Sequence, residues 1–267
     1  MRKFTACALA AAMLLGLSSA APVQARRRTA EEEAWRLVFE DNFDGAALDT
    51  NKWTVVNYPC QINNEPQFYS DDNLRLRDGN LEILTEKRSE GGRDYCSGAV
   101  TTQGRCSILY GKIEVRAKFS GDPGLWPAIW TCSDQIPGFI DADDTGFWPP
   151  EEDIFEGYAP RTHIYTCGHW YGKANTPAGE KKDNGFWIGQ DWSRDYHVWS
   201  MEWTPEAVCF FLDGRRIKRS TRQVEKDEKQ MLLINVAIHD AASIQEGRTS
   251  ISRIDYVRIY AYAPDGR

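Results

Sequence analysis

Residues 111–119 read GKIEVRAKF, and the alternation in this stretch decides the fold class. Ile113, Val115, Ala117 and Phe119 fall on one side, and Lys112, Glu114, Arg116 and Lys118 on the other. A period of two is that of a β-strand with one face against a core and one toward water. The same signature recurs along the chain. LRLRDGNLEIL (74–84) and VCFFLDGRRIKRS (208–220) each hold two strand-like halves around an Asp-Gly pair, a strong hairpin signal. MLLINVAI (231–238) is continuously apolar, as expected of a strand covered on both faces. RIDYVRIYAY (253–262) reads as a closing strand. Amphipathic helices are missing; the best candidate, STRQVEKDEKQ (220–230), is short and highly charged. Many short strands separated by Gly and Pro turns predict an all-β, two-sheet antiparallel sandwich or jelly roll.

The N-terminus sets compartment and boundaries. Arg2 and Lys3 precede an apolar run of small residues and leucines, and Val23-Gln24-Ala25 fits a small-x-Ala cleavage site. We read residues 1–25 as a secretory signal, with Ala20 as a second cleavage choice, and expect a secreted or periplasmic protein. The run is too short for a membrane span, and no other stretch is long enough. Residues 26–32 are expected to form a mobile leader. No repeat or linker divides the remainder, so residues 33–267 are expected to form one domain, taken as a monomer. The net charge of −7 argues against a nucleic-acid partner. Six cysteines follow the signal: Cys60, Cys96, Cys106, Cys132, Cys167 and Cys209. An even number in an exported chain allows up to three disulfides of undetermined pairing, and buried free thiols are the alternative. None forms a CxxC pair, which argues against zinc. The 10 Trp, 11 Tyr and 11 Phe suit a core and equally suit a sugar-binding cleft.

The chemistry concentrates in FWPPEEDIFEGYAP (147–160), where four acids fall within six positions around Ile154 and Phe155. On a regular strand Glu151 and Asp153 share a face and Glu156 takes the other. One extra residue near Ile154-Phe155, a β-bulge, returns Glu156 to the shared face. Two glutamates on one face suit glycoside hydrolysis, which in its retaining form needs a nucleophile and an acid/base about 5–5.5 Å apart. Asp153 between them helps set their different protonation states. The plain alternative is a solvated acidic edge.

Several ordered motifs resemble glycoside hydrolase family 16, the laminarinase-type β-glucanases: NNEPQFYS (63–70), SGAVTTQGRCSILYGKIEVRAKF (97–119), GLWPAIW (124–130), EEDIFE (151–156) and YHVWSMEWTPEAVCFFLDG (196–214). The resemblance runs over nearly the whole chain after the signal. It implies a jelly roll with a concave substrate cleft, Glu151 as nucleophile, Asp153 as its assistant and Glu156 as acid/base. It implies Trp126, Trp130 and Trp148 as sugar platforms or cleft walls, with Asn64, Glu65 and Arg116 holding hydroxyls. His169 matches a family histidine on the strand after the acid/base. It also implies a structural calcium at Asp255 and the backbone oxygen of Gly79, while catalysis needs no cofactor. The expected activity is endo-hydrolysis of a polysaccharide, β-1,3-glucan first. Mixed-linkage glucan, agarose or carrageenan are alternatives, as is a non-catalytic glucan-binding lectin on the same fold. Glu152 stands where the family has an apolar residue, and alternation turns it toward the space between the sheets. It therefore needs a partner, a place near the strand start, or a proton.

Overall fold

The computed structural model describes residues 34–136, 150–158, 161–171, 177–180, 186–221 and 228–263, with side chains left undescribed at 167–171, 177–180 and 186–187. The expected signal and leader and Trp148 lie outside these residues, as does most of the charged stretch 220–230. Among the described residues the regular structure is strand, apart from two short 3-10 turns at Asp71–Asn73 and Ala241–Ser243. The strands form two sheets, of eleven and nine strands. Pairing is antiparallel except between Gln67–Tyr69 and Tyr95–Ser97, which run parallel.

Both Asp-Gly signals become tight hairpins. Asp78 and Gly79 (φ 52° and 69°) join Leu74–Arg77 to Asn80–Glu86, and Asp213 and Gly214 (φ 50° and 76°) join Val208–Leu212 to Arg215–Ser220. Positive φ at both central residues matches the twist of the flanking strands. Gly111–Lys118 sits in the eleven-stranded sheet between His197–Trp203 and Thr249–Tyr262. Its Ile113, Val115 and Ala117 are buried, and its charged residues turn outward. Gln230–Ile238 is buried at all nine positions, at the centre of the other sheet.

The inner faces of the two sheets enclose one large core. Phe155 is its aromatic hub: it stacks on Phe119 at 5.0 Å and meets Trp199 at 4.1 Å and Trp192 at 5.5 Å. A smaller cluster lies on the other face of the nine-stranded sheet. There Val56, Cys60 and Tyr69 pack on Cys132, Met231 and Leu233, so the segment running up to Tyr69 covers part of that face. Cys60, Cys96, Cys106, Cys132 and Cys209 are free thiols, and the side chain of Cys167 lies outside the described residues. The expectation of up to three disulfides therefore gives way, for these five, to its alternative; Cys60, Cys96 and Cys132 are buried, and a buried thiol packs as a small apolar group.

Candidate active site

The acid-bearing strand is Glu151–Glu156, flanked by Leu125–Ser133 and His163–Tyr171. Its register breaks once. Glu151 faces Cys132, Asp153 faces Trp130, Phe155 faces Ile129 and Glu156 faces Ala128, leaving Ile154 as the extra residue. The other neighbour shows the same surplus, since Asp153 pairs with Cys167 and Glu156 with Tyr165. Ile154 and Phe155 are therefore consecutive core residues, 1 % and 0 % exposed. That double anchor explains the apolar pair inside the acid cluster: it holds the bulge shut, and the bulge puts Glu156 on the same face as Glu151 and Asp153. Gly157 follows because a Cβ there would come within 2.6 Å of the Phe155 ring and 2.8 Å of Trp192.

The neighbouring strand supplies indoles to the same face. Leu125 and Ile129 point into the core, so Trp126 and Trp130 point out beside the acids. Trp126 donates its Nε1–H to Glu156 Oε1 at 2.9 Å and meets the edge of Tyr158. Tyr158 stacks on Tyr165 at 4.4 Å and lies near His239. Trp130 donates its Nε1–H to Asn235 Oδ1 at 2.8 Å. Beneath the acids, burial pushes the Cys132 thiol well up, and Glu151 and Asp153 push it further, so it stays a neutral floor.

Glu152 occupies the opposite face of the strand, 4 % exposed. Burial raises its carboxyl well above the usual range, Asp153 adds to the rise, and Lys218 opposes it. Lys218 belongs to the other sheet and donates Nζ to the Thr166 carbonyl at 2.7 Å, so a cation reaches across the sandwich behind the acids.

The remaining expected site residues divide. Asn64 is exposed and has φ 54°, on the segment that covers the acid-bearing sheet. Glu65 is 5 % exposed and accepts from Cys60, Asn63, Gln67 and Tyr69 side chains, so its oxygens are committed inside the protein rather than offered to a sugar. His169 is the register partner of Glu151, with its side chain outside the described residues. Arg116 is not brought to the acids. It lies on the outward face of the other sheet, pairs with Asp255 and stacks over Tyr196 at 4.5 Å. The alternation of residues 111–119 shows two faces but cannot say which sheet they belong to, and this sheet is the wrong one for sugar contact. The same Asp255 is the carboxylate expected at a calcium site together with the backbone oxygen of Gly79; here it accepts from Arg116. Among the described residues no three or more His, Cys, Asp or Glu side chains cluster to hold a metal ion, and the expected site draws instead on one carboxylate and a backbone oxygen. Asn235, Tyr69, Tyr158 and Tyr165 were not singled out from the sequence. Asn235 alone left a signal, as the one polar residue inside the run 231–238.

Comparison with known proteins agrees with this geometry. The sequence model of the glycosyl hydrolases family 16 matches residues 56–258. A β-glucanase of Rhodothermus marinus is 30 % identical over 259 residues, covering 85 % of this chain and 86 % of that protein. A glucan endo-1,3-β-glucosidase A1 of Niallia circulans is 29 % identical over 84 % of this chain, which spans only 37 % of that longer protein. The crystal structure of a laminarinase catalytic domain from Thermotoga maritima superposes with a TM-score of 0.69 at 27 % identity, covering 85 % of this chain and 98 % of that one. The chain belongs to glycosyl hydrolases family 16, a family of glycoside hydrolases.

Proposed function

We propose that this protein is an exported endo-β-glucanase that hydrolyses β-1,3-linked glucan of the laminarin type with retention of configuration. The observation that carries the reading is the bulge at Ile154, which gives Glu151, Asp153 and Glu156 one shared face next to two indoles. The names of the similar proteins, a β-glucanase, an endo-1,3-β-glucosidase and a laminarinase, support the substrate class.

Glu156 gives its proton to the glycosidic oxygen as the Glu151 carboxylate attacks the anomeric carbon. The C–O bond breaks, the leaving chain departs as an alcohol, and a glycosyl ester remains on Glu151. Glu156, now ionised, takes a proton from water. The resulting nucleophile displaces Glu151 and restores both groups. The Trp126 indole fixes the Glu156 carboxyl with a hydrogen bond donated to Oε1. Trp126 and Trp130 offer apolar ring faces to the C–H faces of successive sugars. The tested arrangement is purified enzyme on laminarin and on mixed-linkage glucan, with reducing ends counted and the first-formed anomer followed by NMR. A β-anomer from laminarin is expected. An α-anomer overturns the double displacement, and release from mixed-linkage glucan alone overturns the linkage. Export is checked by N-terminal sequencing of the secreted protein, expected to begin at Arg26.

A further inference from the structure

A directed chain of hydrogen bonds runs from Trp130 away from the acids into the protein. Indole nitrogen can only donate, so the Asn235 amide must turn Oδ1 toward Trp130, at 2.8 Å. That sends Asn235 Nδ2 to the Tyr69 hydroxyl, at 2.9 Å. The phenol oxygen is then an acceptor from Asn235, and its own proton points to Glu65 Oε2 at 3.3 Å. A carboxylate, which only accepts, ends the chain. Gln67 locks that end: its Nε2 donates to Glu65 Oε2 at 2.6 Å, and its Oε1 accepts from the Ile238 backbone N–H at 3.2 Å. Each intermediate group is buried, with Asn235 at 4 %, Tyr69 at 0 % and Gln67 at 0 % exposure.

We propose that Glu65, Tyr69 and Asn235 are positioning residues that hold the Trp130 indole as a sugar platform, acting on substrate binding rather than on bond cleavage. Reversing any link leaves a buried donor facing a donor, so the chain tolerates one orientation only. Burial and the Glu65 carboxylate both raise the Tyr69 hydroxyl well above its ordinary value, which keeps its proton in place as the link to Glu65. The segment carrying Glu65 and the strand carrying Asn235 are thereby tied into one rigid unit under Trp130. Glu65 was expected to bind sugar directly; the contacts assign it to the far end of this chain instead.

The inference rests on Trp130 being a platform, as proposed above, and the test separates the two. Tyr69→Phe, Trp130→Phe and the double variant are assayed on laminarin with KM and kcat resolved. One net hydrogen bond is worth about 0.5–1.5 kcal/mol, so Tyr69→Phe should raise KM roughly two- to tenfold and leave kcat within about twofold. The double variant should be no worse than Trp130→Phe alone. Glu65→Leu, which also orphans the Cys60, Asn63 and Gln67 donors, should raise KM at least as much as Tyr69→Phe, and Glu65→Gln, which keeps an acceptor oxygen, should recover part of that loss. In fluorescence, the Tyr69→Phe difference spectrum should vanish when Trp130 is already replaced. If Trp130→Phe raises KM while Tyr69→Phe does not, the relay is wrong and the platform stands. Multiplying KM effects in the double variant, or a fall in kcat alone, also overturn the relay. If Trp130→Phe leaves KM unchanged, the platform falls and the relay with it.

Discussion

On the outward face of the eleven-stranded sheet, Glu40, Glu82 and Asp255 each meet a guanidinium from a neighbouring strand. On the outward face of the nine-stranded sheet, Glu156 takes its hydrogen bond from an indole, and the register partners of Glu151, Asp153 and Glu156 on the adjoining strand are Cys132, Trp130 and Ala128. Both faces are built from alternating strands rich in acids and aromatics. They differ in what faces each carboxylate across the ladder. A guanidinium binds a carboxylate through charge-assisted hydrogen bonds that fix it in place, which suits a structural wall. An indole N–H orients the Glu156 carboxyl without bringing a charge to it, which suits a group proposed to give and take a proton.

The sharpest way to break that contrast is to neutralise one acid on each face. Glu156→Gln should lower kcat on laminarin by about 10²–10⁴, the usual contribution of a general acid/base, while affinity electrophoresis still detects glucan binding. Asp255→Asn should leave kcat unaltered. Equal losses from the two would end the distinction. Next in size is the support beneath the acids. Phe155→Ala removes the aromatic hub and should cost about 3–5 kcal/mol of stability by chemical denaturation. A smaller cost, about 1–3 kcal/mol, is expected for Gly157→Ala, which forces a methyl against Phe155 and Trp192.

Glu152 sharpens the comparison from inside the sandwich. Its folded carboxyl binds a proton more tightly than in the unfolded chain. The stability it permits is therefore full below the unfolded pKa and declines as pH rises toward the folded one. Wild-type Tm should fall from acid toward neutral pH more steeply than that of Glu152→Gln, and the variant should gain roughly 2–4 °C at neutral pH if about 1 kcal/mol is recovered. Parallel Tm–pH curves would show that Lys218 already neutralises it. The smallest effect belongs to the wall: Arg116→Ala should cost no more than about 1 kcal/mol, less in high salt, with KM unchanged.

Much of the framework was legible because it depends on neighbours in sequence. Alternation in 111–119, two Asp-Gly turns and the apolar run at 231–238 each map onto the strands and hairpins observed. Even the bulge could be argued from parity, since Glu151 and Glu156 cannot share a face without one surplus residue. The residues expected to hold sugar hydroxyls were less legible, for two reasons. Arg116 has the right chemistry, but its partner Asp255 lies 139 positions along the chain. Glu65 is held by near neighbours, Cys60, Asn63, Gln67 and Tyr69, whose side chains converge on it only because this segment leaves regular alternation and folds onto the nine-stranded sheet. The thiols follow the same rule, because whether two cysteines meet depends on which strands the fold brings together.

What local order determined here is the type and phase of each strand: which side chains alternate, where the turns reverse, and that the acid cluster needs a kink to act as one group. What only the tertiary structure decided is the company each polar group keeps, such as Arg116 with Asp255, Lys218 behind Glu152, and Glu65 at the root of a chain ending at Trp130. Strand geometry repeats every two residues and is set by the backbone. Hydrogen-bond and charge partners are set by sheet order, which joins residues more than a hundred positions apart.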